Sequence, residues 1–152
     1  MVGSERAMAD LRTRALATVL VGERSAAVGA ITVAAGLFGA ATGLQALAAS
    51  GAVPAVAVTP VTAVLATTTV AGPVLAIGAA YRRGGLAGSL SLAAAPVAGR
   101  VAYFALFTPN AVVALPGSFE GSGAATFWAP VVLALGVVGF TVGAAARRLL
   151  DG

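Results

Sequence analysis

Few side chains in this chain can do chemistry. All nine basic residues are arginine, and there is no lysine, histidine or cysteine. The missing histidine removes the commonest metal ligand and the commonest acid or base near neutral pH. The missing cysteine removes disulfides and thiolates, and the missing lysine leaves no side-chain amine for a Schiff base. The five acids, Glu5, Asp10, Glu23, Glu120 and Asp151, are scattered, with no pair at metal-ligand or glycosidase spacing. None lies inside an apolar run, where a proton-coupled pump usually carries its acid. No P-loop, GxSxG or strand-to-helix GxGxxG occurs. The expectation is a protein that is not an enzyme and needs no cofactor or metal.

Two places remain where a polar site could form. Arg100 is the one charge inside an apolar run. Arginine at a bilayer centre costs roughly 2.5 to 3.5 kcal/mol, and the eight Leu, Val and Phe residues around it return about 2.4 to 4.8 kcal/mol on the same scale. Three readings are open for it. The guanidinium can snorkel to outer lipid heads, pair with Glu120, or line a cavity that takes an anionic solute or lipid. The second place is Thr67-Thr68-Thr69 followed by Gly72-Pro73. Pro73 leaves the carbonyl of Thr69 without its helical donor, and Pro96 does the same to Leu92. Broken helices with freed carbonyls mark some transporter sites. Elsewhere they are absorbed by hydroxyls and neighbouring helices.

The elements that must hold these residues follow from composition. The chain has 152 residues, 59% hydrophobic and 9% charged, with a mean hydropathy of +0.99. From Ser25 to Tyr81 no residue is charged. A soluble domain carries about 25% charged residues, so a soluble fold and a disordered chain are both excluded. A helix needs about 20 apolar residues to cross the hydrocarbon core. Four segments qualify, at about 25–49, 60–81, 86–107 and 124–146. The expected fold is all-α: an integral membrane four-helix bundle forming one transmembrane domain over 25–152. Thr59 is a good N-cap and Pro60 suits a first helical position, so the second span is placed from Pro60; a longer helix from Pro54 is the alternative. The segment Thr108 to Gly123 carries two prolines, and its apolar centre is too short to span.

Residues 1–24 precede the first span. Met8, Leu11, Ala15 and Val19 fall on one helical face, and Arg6, Asp10, Thr13 and Arg14 on the other. This predicts a short amphipathic helix on the membrane surface rather than a cleavable signal peptide. Arginines gather before the first span, between the second and third, and after the fourth, while the other two loops have none. Positive-inside placement then puts both termini in the cytoplasm of a cell-membrane protein. Tyr103, Phe104, Phe107, Phe119, Phe127 and Trp128 gather at the opposite interface as an aromatic belt. The net charge of +4 belongs to these flanks. It points to anionic lipid heads at the arginine clusters and not to nucleic acid.

Helices in lipid associate through close packing of small residues. Gly22, Gly29, Gly36 and Gly43 recur every seven residues, and Gly39 makes a GxxxG with Gly43. Span four repeats the idea with Ala129, Gly136, Gly139 and Gly143. These seams predict a tight pair within the chain, a homo-oligomer or a place in a larger membrane complex. Ile77 to Arg83 also resembles Val142 to Arg148, as in a duplicated hairpin. The leading expectation is a structural or accessory membrane protein acting through helix packing. The alternative is a minimal transporter or channel subunit for a small anion, using Arg100 and the kinks at Pro73 and Pro96.

Overall fold

Apolar runs with no other partners for their backbone pair their own N–H and C=O groups, and so form helices. The computed structural model describes residues 2–52, 54–107, 119 and 124–150, and among these only helices and their connections occur. The helices are α1 (Val2–Val21), α2 (Arg24–Ala49), α3 (Ala55–Tyr81), α4 (Gly85–Phe107) and α5 (Ala124–Leu150). Four stretches among the described residues are long and apolar enough to cross a membrane: Asp10–Ala49, Thr59–Tyr81, Gly85–Phe107 and Ala124–Leu150. The apolar centre of the 108–123 segment, and Glu120, lie outside the described residues.

Two boundaries and one helix face differ from expectation. α3 starts at Ala55 with Pro54 before it, so neither Thr59 nor Pro60 begins the helix. Pro60 sits inside α3 and removes one backbone bond. Winding the apolar residues ahead of it pairs more backbone groups than that one loss, and Pro54 supplies an equally good start. Gly51, at φ +69°, lets the chain turn between α2 and α3. α5 runs past Ala146 to Leu150 and carries Arg147 and Arg148 in its last turn, where cations suit the helix C-terminus. α1 is a helix, but Leu16 and Leu20 lie off the Leu11–Ala15–Val19 line, and Asp10 through Val21 are all exposed. Its apolar surface is therefore wider than the expected stripe.

α4 is the central helix. It packs on α2, α3 and α5 and touches the end of α1, while α3 also packs on α5. α2 and α5 make no comparable contact. A duplicated hairpin with a two-fold axis would require that pair to match α3 and α4, so the packing lacks such symmetry. The core is built of small residues: Ala30, Ala34, Ala76, Leu92, Ala93 and Ala95. Ser89 is fully buried. Its hydroxyl lies 3.1 Å from the Ala76 carbonyl and 3.2 Å from that of Gly85, so its single proton bridges to α3 or serves its own helix.

At one end of the bundle two turns lock together. Gly22 (φ +73°) and Gly85 (φ +70°) are both left-handed. A Cβ on Gly22 would strike the carbonyl oxygen of Arg83, and one on Gly85 would strike the backbone of Val21. The Glu23 N–H donates to the Arg83 carbonyl at 2.8 Å, and the Arg83 guanidinium pairs with the Glu23 carboxylate at 2.9 Å. Arg83 is itself left-handed, at φ 64°. It closes α3 as a Schellman-like cap, with the Gly84 N–H donating to Ala79 at 2.7 Å. Arg147 donates to the Ala80 carbonyl at 3.5 Å. The α1–α2 junction, the α3–α4 turn and the end of α5 thus share one end, the arginine end.

Candidate functional site

The approach of α2 to α4 positions Arg100, the cation in the middle of an apolar helix. Gly99 permits that approach. A Cβ there would stand 2.5 Å from the Phe38 carbonyl oxygen and 3.1 Å from the Thr42 hydroxyl. The Thr42 hydroxyl lies 2.9 Å from the Phe38 carbonyl and 3.0 Å from that of Gly99. Its single proton serves its own helix or bridges to α4.

The residue after Gly99, Arg100 of α4, donates from Nε to the side-chain Oε1 of Gln45, about one turn on from Thr42 in α2, at 3.3 Å. The Arg100 guanidinium carbon sits 3.6 Å from the centroid of the Phe119 ring. Phe119 in turn stacks on Trp128 of α5, with centroids 4.7 Å apart and planes 10° from parallel. The result is a column of contacts, from the Gln45 amide through the guanidinium and the Phe119 ring to the indole, that ties α2, α4, Phe119 and α5 together. Arg100 is only partly buried. A desolvated cation–π contact is worth up to about 2 kcal/mol, and a hydrogen bond from a charged group about 1.5 to 3 kcal/mol. Such contacts are of the same size as the roughly 2.5 to 3.5 kcal/mol that an arginine costs at a bilayer centre. Of the readings open for Arg100, the pairing with Glu120 falls outside the described residues. The contact with Gln45 is one that sequence reasoning missed. Its signal was present: Gln45 is the only glutamine in the chain and stands in an otherwise apolar span.

The proline motifs come together. A Cβ on Gly72, beside Pro73, would lie 2.6 Å from the Leu92 carbonyl oxygen and 3.1 Å from the Pro96 ring. The carbonyl that Pro96 frees therefore abuts the glycine next to the other proline. Pro96 is fully buried at this contact. The threonine hydroxyls turn back onto their own helix: Thr67 donates to Val64 at 2.7 Å, Thr68 to Leu65 at 2.7 Å and Thr69 to Leu65 at 3.1 Å. Gly72 and Pro96 thus meet in an α3–α4 packing contact, the Pro73 carbonyl lies 3.5 Å from where a Cβ on Gly139 of α5 would stand, and Thr69 bonds its own helix.

The two glycine faces differ. On α5, a Cβ at Gly136 would meet Leu90 Cδ2 at 2.5 Å, one at Gly139 would meet Ala76 at 3.1 Å, and one at Gly143 would strike the Ile77 carbonyl oxygen. On α2, a Cβ at Gly29, Gly36, Gly39 or Gly43 would meet nothing within 4 Å. The residues that α2 buries, Ala27, Ala30, Ala34 and Ala41, lie on the opposite side of the helix.

No His, Cys, Asp and Glu cluster able to hold a metal occurs among the described residues. Comparison with known proteins found no family model, no curated protein and no solved structure that matches this chain.

Proposed function

We propose that this chain is a four-span membrane protein that acts by helix association, with its α2 glycine stripe as the surface that joins copies. The role is structural or accessory and non-enzymatic. Both termini face the cytoplasm, in keeping with the arginine-rich turns at one end and the positive-inside rule. The observation that carries the reading is the empty space over Gly29, Gly36, Gly39 and Gly43. Close approach of backbones is what small residues give a helix in lipid, and α5 uses its glycines that way inside the chain. A heptad-spaced stripe also suits a copy of itself, because a two-fold contact sets the same patch against the same patch.

Within this reading the Arg100 column is a clamp. It holds Phe119 onto the bundle, and α2 onto α4 through Gln45. The test of the association is photocrosslinking in native membranes, since the chain offers no lysine or cysteine side chain to conventional reagents. Gly36→Leu is expected to abolish the crosslinked species while the chain stays helical and membrane-bound. An unaltered crosslinking pattern would place the contact between copies elsewhere.

A further inference from the structure

The arginine end holds a cleft whose chemistry is lopsided. It has a volume of about 480 Å³ and lies between the end of α1, the α3–α4 turn and the last turns of α5. Arg83, Arg147 and Arg148 line one part of it, with Glu23 the acid facing them. Three cations against one carboxylate leave a surplus of two positive charges. Val19, Phe140 and Ala144 give it an apolar wall, and Thr18, Gly22, Ala80 and Gly85 complete the lining. Two of the cations are anchored from behind. Arg83 is held by its left-handed cap and by Glu23, and Arg147 by the Ala80 carbonyl. Arg148 lines the cleft as an exposed side chain.

We propose that this cleft is a headgroup site for an anionic phospholipid. Its phosphate would be received by Arg83, Arg147 and Arg148, and its acyl chain would lie along Phe140 and Val19. A guanidinium offers paired N–H donors that match phosphate oxygens, and three converging on one opening suit a phosphate better than a carboxylate. The apolar wall argues for a lipid over a soluble phosphate, since a free ion has no use for it. Basic pockets between helix ends on the cytoplasmic side are where anionic headgroups are taken up. The proposal rests on the four-span reading with this end at the cytoplasmic leaflet. Arg82, next in sequence to Arg83, lines a different groove, between α2 and α3. It carries the same charge at the same end of the bundle outside the cleft, which makes it the internal control.

The test is native mass spectrometry of the full chain from detergent micelles holding equal phosphatidylglycerol and phosphatidylcholine. The wild-type chain is expected to retain phosphatidylglycerol selectively. Arg147→Gln with Arg148→Gln should reduce that retention about thirtyfold, and Arg148→Gln alone, at an exposed position, about fivefold. Arg82→Gln should leave it unchanged, and Glu23→Gln should raise it by freeing Arg83. Circular dichroism verifies that each variant is folded. Equal losses in Arg82→Gln and Arg148→Gln would overturn the site in favour of diffuse charge attraction. Displacement of the lipid by glycerol phosphate would overturn the lipid assignment in favour of a soluble phosphate. Carbonate washing separates the two layers of the argument. A chain that washes off the bilayer defeats the four-span reading itself, while one that stays but shows no headgroup preference defeats only the site.

Discussion

α2 and α5 carry the same sequence signature and meet opposite fates. Both repeat glycine at seven-residue spacing and both contain a GxxxG. The α5 glycines press against Leu90, Ala76 and the Ile77 carbonyl, so that face is filled from within the chain. The α2 glycines face away from the bundle over open space. A small-residue stripe therefore does not say by itself whether a backbone from within the chain meets it. What separates the cases is the rest of the helix. α2 meets α4 through a second small face, Ala27, Ala30, Ala34 and Ala41, which leaves the glycine face over. α5 has no second small face of that kind and places Gly136, Gly139 and Gly143 inside the bundle.

The contrast can be broken most forcefully at Gly143. Gly143→Leu drives a side chain into the Ile77 carbonyl and should cost about 3 kcal/mol of stability. Denaturation of the helical signal by a strong detergent measures it; a loss of less than about 1 kcal/mol would mean that α5 does not pack as described. The Arg100 column gives a middle-sized effect with a telling asymmetry. Gln45→Leu leaves the guanidinium without its α2 acceptor and should cost about 1 to 2 kcal/mol. Arg100→Leu removes the charge along with the contact, so it should cost less than the glutamine variant, because no unpaired cation is left behind. Arg100→Leu should also change the fluorescence of Trp128, the lone tryptophan, since Phe119 stacks between them. Equal costs for the two variants would contradict the pairing. The smallest effect is expected at Gly36. Gly36→Leu should shift the stability of the isolated chain by no more than about 0.5 kcal/mol in the same assay.

The four apolar helices were legible because their signal is additive. Long uncharged runs such as Ser25 to Tyr81 leave little room for another reading. The grouping of arginines at one end was legible for the same reason, and the turns bring Glu23, Arg83 and Arg147 to that end. Helix starts were less legible. Pro54 and Pro60 are both acceptable first residues, and the choice depends on whether Ala55 to Val58 gain more by winding than Pro60 loses. Partners across helices were not legible. Gln45 and Arg100 lie 55 positions apart, and Gly22 and Gly85 meet only because two left-handed turns face each other. Those contacts depend on the order in which helices pack around α4, which a one-dimensional pattern does not contain. The fate of the α2 stripe belongs with them.

The most direct test of the account uses the absence of cysteine, since single-cysteine chains then need no background removed. Gly36→Cys on the open α2 face is compared with Val142→Cys, which is 47% exposed on α5, by oxidising native membranes and resolving the products without reductant. The account predicts a disulfide-linked dimer from Gly36→Cys and none from Val142→Cys. A Gly36→Cys chain that stays monomeric, or a Val142→Cys chain that links as readily, would contradict it.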